Sequence, residues 1–269
     1  MNSKTEAQQR IINYYDTCHV DYSIVWHLKT HLSLHYGYWD QGIKRLRQAL
    51  VRMNDVLAGK VNIKATDKVL DAGCGVGGAA IYLAKKYHCQ AHGITLSKQQ
   101  VEFATLKAIE NNVNSKVSFS VADFAQMPFE DESFDVVWAV ESVCHAHEKA
   151  DFLKEAFRVL KKGGRLIMAD FFRTMETPDE VAAEWLNNWG KSWAVPEFEF
   201  IDSFEKKAAQ QGFTHIQIEN ITDRIMPSAN DFIIALYPAS SATGPYASLE
   251  NEIRYIRPMY GRPIINTNH

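Results

Sequence analysis

Short apolar runs alternate with amphipathic stretches through the middle of the chain. The runs are "KVLDAG" (68–73), "CQAHGIT" (89–95), "KVSFSVAD" (116–123), "FDVVWAV" (134–140) and "RLIMADFF" (165–172). Each is a few residues long, rich in β-branched or aromatic side chains and almost continuously apolar, which predicts strands buried on both faces. Between them the apolar positions recur at helical spacing near 77–87, 97–111 and 148–160, and Gly163 and Gly164 are expected to close the last of these helices. Strand–helix alternation of this kind predicts an α/β fold, a mostly parallel sheet flanked by helices. Ligands of such sheets bind beyond the carboxyl ends of the strands, so chemistry is sought there.

The pattern changes at either side. Residues 1–60 read as a helical, aromatic cap carrying Tyr14, Tyr15, Tyr22, Trp26, Tyr36, Tyr38 and Trp39. Residues 173–200 form an insertion after the fifth strand, in which Trp185, Trp189 and Trp193 recur every four positions and give a helix one apolar stripe. Placed over the strand ends, that helix is expected to act as a lid that excludes water. A helix at about 201–211 and a β-like run at 213–222 follow. "FIIALY" (232–237) fits a strand or a buried helical turn, and no closing antiparallel strand is assigned in the last 45 residues. The expected organisation is therefore a cap (1–60), a core (61–172), a lid (173–200) and a final segment (201–269). That segment ends the core and serves the substrate side or an oligomer contact.

Composition narrows the partners. A chain of 269 residues, 46% hydrophobic, can bury a full core. Its formal net charge of −3 lacks the basic footprint of a nucleic-acid binder. The four cysteines show no C-x-x-C spacing, which suits reduced thiols. A polar opening, "MNSKTEAQQR", and the absence of a bilayer-length apolar run lead to the expectation of a cytoplasmic protein, monomer or homodimer, with no transmembrane segment. A peripheral membrane contact stays open.

The densest local signal is "VLDAGCGVGGAA", in which a strand ends at Asp71 and four glycines lead into a helix. Glycines allow a tight turn and a close backbone approach to a ligand. Gly73, Gly75 and Gly78 fit G-x-G-x-x-G, the dinucleotide fingerprint, which by itself is weak. An acid just ahead of the first glycine, with only Ala72 between, suits a cationic ligand better than a pyrophosphate. The ribose-binding acid expected at the end of the second strand is replaced by Thr95. A nicotinamide-dependent oxidoreductase is thus the weaker alternative.

"VLDAGCGVGG", "GITLSKQQ", "VADFAQMPFEDESFDVVWAVES" and "LKKGGRLIMAD" together resemble, in order and spacing, the successive motifs of class I S-adenosylmethionine-dependent methyltransferases. "YYD", "HYGYWD", "GITLS" and "ESVCHA" are similar to the sterol C-methyltransferase and tocopherol methyltransferase branch, with a fainter likeness to cyclopropane fatty-acid synthases. The resemblance implies a Rossmann-like core that binds S-adenosyl-L-methionine. It implies that Asp71, Gly73 and Gly75 hold the methionine moiety, and that Gln100 reaches the ribose with Thr95 and Leu96 lining that side. Asp123 would meet the adenine amino group and Phe124 the ring face, while Tyr36 and Gly37 would close over the amino-acid end. Relatives in this branch also lack the ribose acid at the position of Thr95.

The candidate catalytic residues are Glu141 and His145, in "WAVESVCHAH" (138–147). If Glu141 opens a helical turn, His145 at i+4 shares its face at the strand-end rim. Cys144 is expected to pack as a small apolar side chain and His147 to cap or face solvent. His27, His31 and His35, also four apart, could align on a helix for a metal, but the aromatic surroundings favour packing over the cofactor and no metal is expected. The implied activity is methyl transfer to a hydrophobic small molecule, preferably C-methylation of an isoprenoid or lipid-like alkene. The alternative is O- or N-methylation of a small-molecule natural product.

Overall fold

The computed structural model describes residues 32–228 together with the backbone of strands at 260–261 and 263–268. In chain order its elements are α1 (Leu46–Lys60), β1 (Lys68–Ala72), α2 (Gly78–Tyr87), β2 (Gln90–Thr95), α3 (Lys98–Glu110), β3 (Val117–Val121) and β4 (Phe134–Val140). There follow α4 (Lys149–Val159), β5 (Leu160–Ala169), β6 (Phe172–Arg173), α5 (Glu180–Ser192), α6 (Ile201–Gln211), β7 (Thr214–Asn220), β8 (Tyr260–Gly261) and β9 (Pro263–Asn268). The main sheet runs β3-β2-β1-β4-β5-β9-β7. Its first five strands pair in parallel, and β9 lies antiparallel between β5 and β7. This is the expected Rossmann-like architecture.

Strand periodicity sorts the core. Val136 and Trp138 of β4 join a cluster with Met53 and Leu57 of α1 and Ile81 of α2. Val137 and Ala139, one residue out of phase, join Phe152 and Leu153 of α4 and Phe204 of α6 on the other face. Side chains such as Trp138, Phe134 and Phe152 are fully buried, each worth roughly 1.5–3 kcal/mol relative to exposure. The strands converge at β1 and β4, and their carboxyl ends, Asp71 and Val140, open on the same rim.

Four expectations are corrected. The helical reading of residues 1–60 holds from Leu46, whereas residues 32–45 are irregular. The backbone there is bonded outward instead: Tyr38 N donates to Ala49 O and Trp39 N to Arg224 O. His35 therefore lies off any helix, its ring Nδ1 at 2.9 Å from Tyr36 O, and His27 and His31 fall outside the described residues. Gly163 and Gly164 do not end α4, which stops at Val159. They sit within β5, at a register shift against β4 that the positive φ of Gly163 accommodates. The unassigned C-terminal segment does contain the closing antiparallel strand, β9. "FIIALY" and the aromatics before residue 32 lie outside the described residues.

Arg165 of β5 ties the sheet to the chain before it. Its guanidinium meets Asp67 at 2.8 Å and donates to Val61 O at 2.8 Å, while Asp67 also accepts from Lys64 N. Arg165→Met should cost about 3 kcal/mol, because it strands a buried carboxylate. Urea unfolding would read this as a lower midpoint at unchanged slope. Among the described residues, no helix is long and apolar enough to cross a membrane.

Candidate active site

Two cavities meet at the strand-end rim. The larger cleft is lined by Asp71, Gly73, Gly75, Thr95, Leu96, Gln100, Phe124, Glu141 and His145, so nine of the residues singled out in the sequence share one wall. A smaller chamber beside it is lined by Cys144, Phe171, Trp189, Trp193, Val195 and Phe198. Leu34, Glu141 and His145 border both. A group passed from one cavity to the other would pass here.

The glycine turn shapes the cleft. Gly73 has φ 86°, and a Cβ on it would lie 2.3 Å from that of Ser142, so both backbone and space require glycine. A Cβ on Gly78 would lie 1.7 Å from Leu32 O, which shows how closely the segment before α1 crosses the start of α2. Asp71, at the end of β1, is buried, and its Oδ2 has no hydrogen-bond partner. Burial raises its pKa to about 7. A buried, unpartnered carboxylate oxygen at the wall of a cleft is a receptor for a cation. Along the neighbouring strand end, Thr95 Oγ1 donates to Gln100 Oε1 at 2.5 Å, and Ser97 caps α3.

Three of the named residues stand outside the cleft lining. Tyr36 is buried, its ring edge-on to Phe171 at 5.9 Å. Gly37 N donates to Ser228 Oγ, and the glycine packs against Ala49 of α1. Asp123 accepts from Ala125 N in the turn that carries Phe124 to the wall.

Glu141 and His145 share the rim for a reason other than helical spacing. Glu141 has φ 48°, a left-handed conformation that costs a non-glycine residue roughly 1–2 kcal/mol. It turns the chain into a single 3₁₀ turn, Val143–His145. Glu141 Oε1 accepts the Tyr36 amide at 2.5 Å, so the carboxylate holds the segment that crosses the cleft. His145 Nδ1 lies 3.3 Å from Ala194 O. A carbonyl can only accept, so Nδ1 carries the hydrogen and Nε2 keeps the lone pair. Burial lowers the His145 pKa, which leaves the imidazole neutral at pH 7.

Two supporting residues were given no role by sequence reasoning, although Asp170 closes the quoted motif "LKKGGRLIMAD". Asp170, fully buried just past β5, accepts Ser142 N and Cys144 N with one oxygen and Phe171 N with the other. Lys149, buried at the start of α4, donates to Cys144 O, Ala146 O and Glu197 O. For Asp170 the signal was its place at the end of that motif, and for Lys149 a charge at a helix start. His147 is exposed beside Glu148, and Cys144 is buried at the chamber wall.

Of the tryptophan stripe, Trp189 and Trp193 reach the chamber; Trp185 does not line it. Trp189 stacks on Phe198 at 4.7 Å and meets Phe171 edge-on at 5.2 Å. Among the described residues, no group of three or more His, Cys, Asp or Glu is placed to hold a metal.

Comparison with known proteins follows the same lines. A family model described as "Methyltransferase domain" matches residues 70–168. The 27-O-demethylrifamycin SV methyltransferase of Amycolatopsis mediterranei (strain S699) is 36% identical over 197 residues, 73% of this chain and 72% of that protein. The chloroplastic tocopherol O-methyltransferase of Arabidopsis thaliana is 31% identical over 211 residues, 72% of this chain and 61% of that protein. Among solved structures, that of the [4+2]-cyclase SpnF superposes with a TM-score of 0.78 at 26% identity, covering 97% of this chain and 96% of the other.

Proposed function

Since the chain belongs to the S-adenosylmethionine-dependent methyltransferases, we propose that it methylates a hydroxyl oxygen of an apolar small-molecule natural product, with His145 as general base. The observation that carries this reading is the imidazole held through Nδ1 by Ala194 O, neutral, at the border of the two cavities. Bound in the larger cleft, S-adenosylmethionine supplies a methyl group made electrophilic by a sulfonium.

The residues present fit that cofactor. Asp71 offers a buried carboxylate oxygen without a partner to a ligand bearing an ammonium and a sulfonium. Gly73 and Gly75 give the methionine end a wall without side chains. Thr95, Leu96 and Gln100 would hold the ribose side and Phe124 the adenine ring, while Asp123, outside the lining, braces the turn that carries Phe124. Tyr36 and Gly37 belong to the segment that crosses the cleft, and Glu141 latches that segment in place through the Tyr36 amide.

The rest of the task is positioning, since methyl transfer is an in-line displacement. The helix α5 serves as a lid, and Trp189 and Trp193 with Phe171 and Phe198 exclude water and bind an apolar acceptor. An alcohol that gains a methyl must lose its proton, and His145 Nε2 takes it. A second reading, C-methylation of an isoprenoid or lipid-like alkene, draws support from the same aromatic faces, which stabilise a developing cation.

Offering methyl-labelled cofactor with a panel of hydroxylated polyketides, phenols and prenyl alcohols tests this. The expected products carry the label on oxygen. A label on carbon would replace this reading with the second.

A further inference from the structure

We propose that Lys149 is a positioning residue for His145: it fastens the turn that carries the base to the segment that closes the acceptor chamber, so that closure and base orientation form one unit. The inference rests on reading His145 as the base, and it starts from a placement that local physics disfavours. Lys149 is the first residue of α4, where the unpaired amides of a helix repel a cation. It is also 6% exposed. Lysine at such a position ordinarily extends its ammonium to water.

Here the ammonium is turned inward and fully used. Nζ donates to Ala146 O at 2.8 Å, Glu197 O at 2.8 Å and Cys144 O at 3.3 Å. Three carbonyl partners match the three hydrogens of an ammonium. Two of these carbonyls flank His145 on its own turn. The third belongs to the stretch after α5, three residues beyond Ala194, whose carbonyl accepts His145 Nδ1. Two hydrogen bonds thus stitch residues 144–149 to residues 194–197, and Trp193 and Val195 of that stretch wall the chamber. Ala194 is itself held in a left-handed conformation (φ 54°), with Val195 N bonded to Gly190 O beside it. The stretch is therefore defined at both ends.

Charge acts in the same sense. Lys149 is faced by Asp170 from the end of β5, by Cys144, and by Glu197 and Glu199 from the stretch after α5. His145 is faced by Lys149 and Asp170, with Glu141 across the rim. The nearby cation opposes protonation of the imidazole and Asp170 favours it, while burial opposes it most. Removing the ammonium would loosen the closing stretch, admit water and remove the opposing cation. Water entry and loss of the opposing cation raise the His145 pKa, whereas a weakened Ala194 bond lowers it. Burial is the largest cause, so its relief sets the net direction upward.

The decisive comparison is full-length protein against Lys149→Met and Lys149→Arg, without any acceptor. Imidazole nitrogen NMR, with the His145 signal assigned through His145→Gln, reports tautomer and titration midpoint. In Lys149→Met the Nδ1–H tautomer should lose its dominance and the midpoint should rise by about half a unit or more. Acrylamide quenching of tryptophan fluorescence should increase. Affinity for S-adenosylhomocysteine should stay within about twofold, because Lys149 does not line the cleft and Asp71 and the glycine turn are unchanged. Lys149→Arg should restore part of the tautomer lock. A lower melting temperature with unchanged tautomer, midpoint and quenching would overturn the proposal and leave Lys149 a structural lysine. Should Lys149→Met not fold, Lys149→Gln carries the same comparison. None of these readouts depends on which atom is methylated, so a failure of the oxygen-methylation reading leaves them standing.

Discussion

Asp71→Asn should separate cofactor binding from folding in opposite directions. In the ligand-free protein the carboxyl titrates near 7, raised by burial with its Oδ2 unpartnered. A cationic ligand requires the ionised form, so binding below that pH must expel a proton. Affinity for S-adenosylhomocysteine, which retains the ammonium, should therefore fall as pH drops below 7, by up to about tenfold per unit. The asparagine variant should bind about ten- to a hundredfold more weakly at pH 7.5, the scale of a lost charge-assisted contact, and show a flat pH dependence. Calorimetric titration in two buffers of different ionisation enthalpy would count the proton released. Stability runs the other way. With the folded pKa above the unfolded one, the native state binds more protons between about pH 4 and 7, so ligand-free stability falls as pH rises through that window. Removing the acid should relieve this cost, and the variant should melt higher than the wild type at pH 7.5 when no ligand is present.

His145→Gln should leave that binding intact and remove turnover. Glutamine keeps an amide near Ala194 O but offers no base, and loss of a positioned general base lowers kcat by about 10²–10⁴. Cofactor affinity should stay within about twofold, since Asp71 and the glycine turn are untouched. Single-turnover methyl transfer, measured on the acceptor that the labelled-cofactor panel yields, checks it. The lowered pKa of His145 adds a sign. Burial holds the imidazole below its ordinary value, so if His145 is the base, the wild-type rate should fall at a lower pH than the titration of a free imidazole would give. Glu141→Gln is expected to behave differently. Its carboxylate holds the Tyr36 amide, so cofactor affinity should suffer together with rate. The two variants would thus tell apart residues that share one rim.

What the sequence conveyed and what it hid follow one division. Strands β1 to β4 and helices α2, α3, α4 and α6 were legible to within one or two residues, because buried parallel strands and amphipathic helices write their periodicity locally. The glycine turn was legible because Asp71 and Gly73 need particular chemistry at particular positions. Glu141 and His145 were found through an i, i+4 argument, yet the backbone brings them to the rim by a left-handed residue and a 3₁₀ turn, a conformation that glutamate does not advertise. The roles of Asp170, although it ends a quoted motif, and of Lys149 were missed because their meaning lies in carbonyls and amides of other segments, which no side-chain pattern encodes. Residues 32–45 misled for the same reason: the groups that hold Tyr38 and Trp39 out of a helix belong to Ala49 and Arg224. Trp185 kept the helical register of its stripe while lying outside the chamber lining, since a stripe records spacing and not the width of what it covers.

The position of β9 bears on how the molecule comes into being. Its register pairs Ile265 with both Met168 of β5 and Ile218 of β7, so one late segment satisfies the edges of two strands made long before it. Until residues 263–268 leave the ribosome, both of those edges present unpaired amides and carbonyls to whatever chain is nearby. The described part of the candidate rim, at the ends of β1, β2 and β4, precedes it in the chain. Cofactor present during synthesis could brace the first half of the sheet while the second half waits, and removal of the 263–268 strand should show itself as aggregation of the nascent protein before any defect in cofactor recognition.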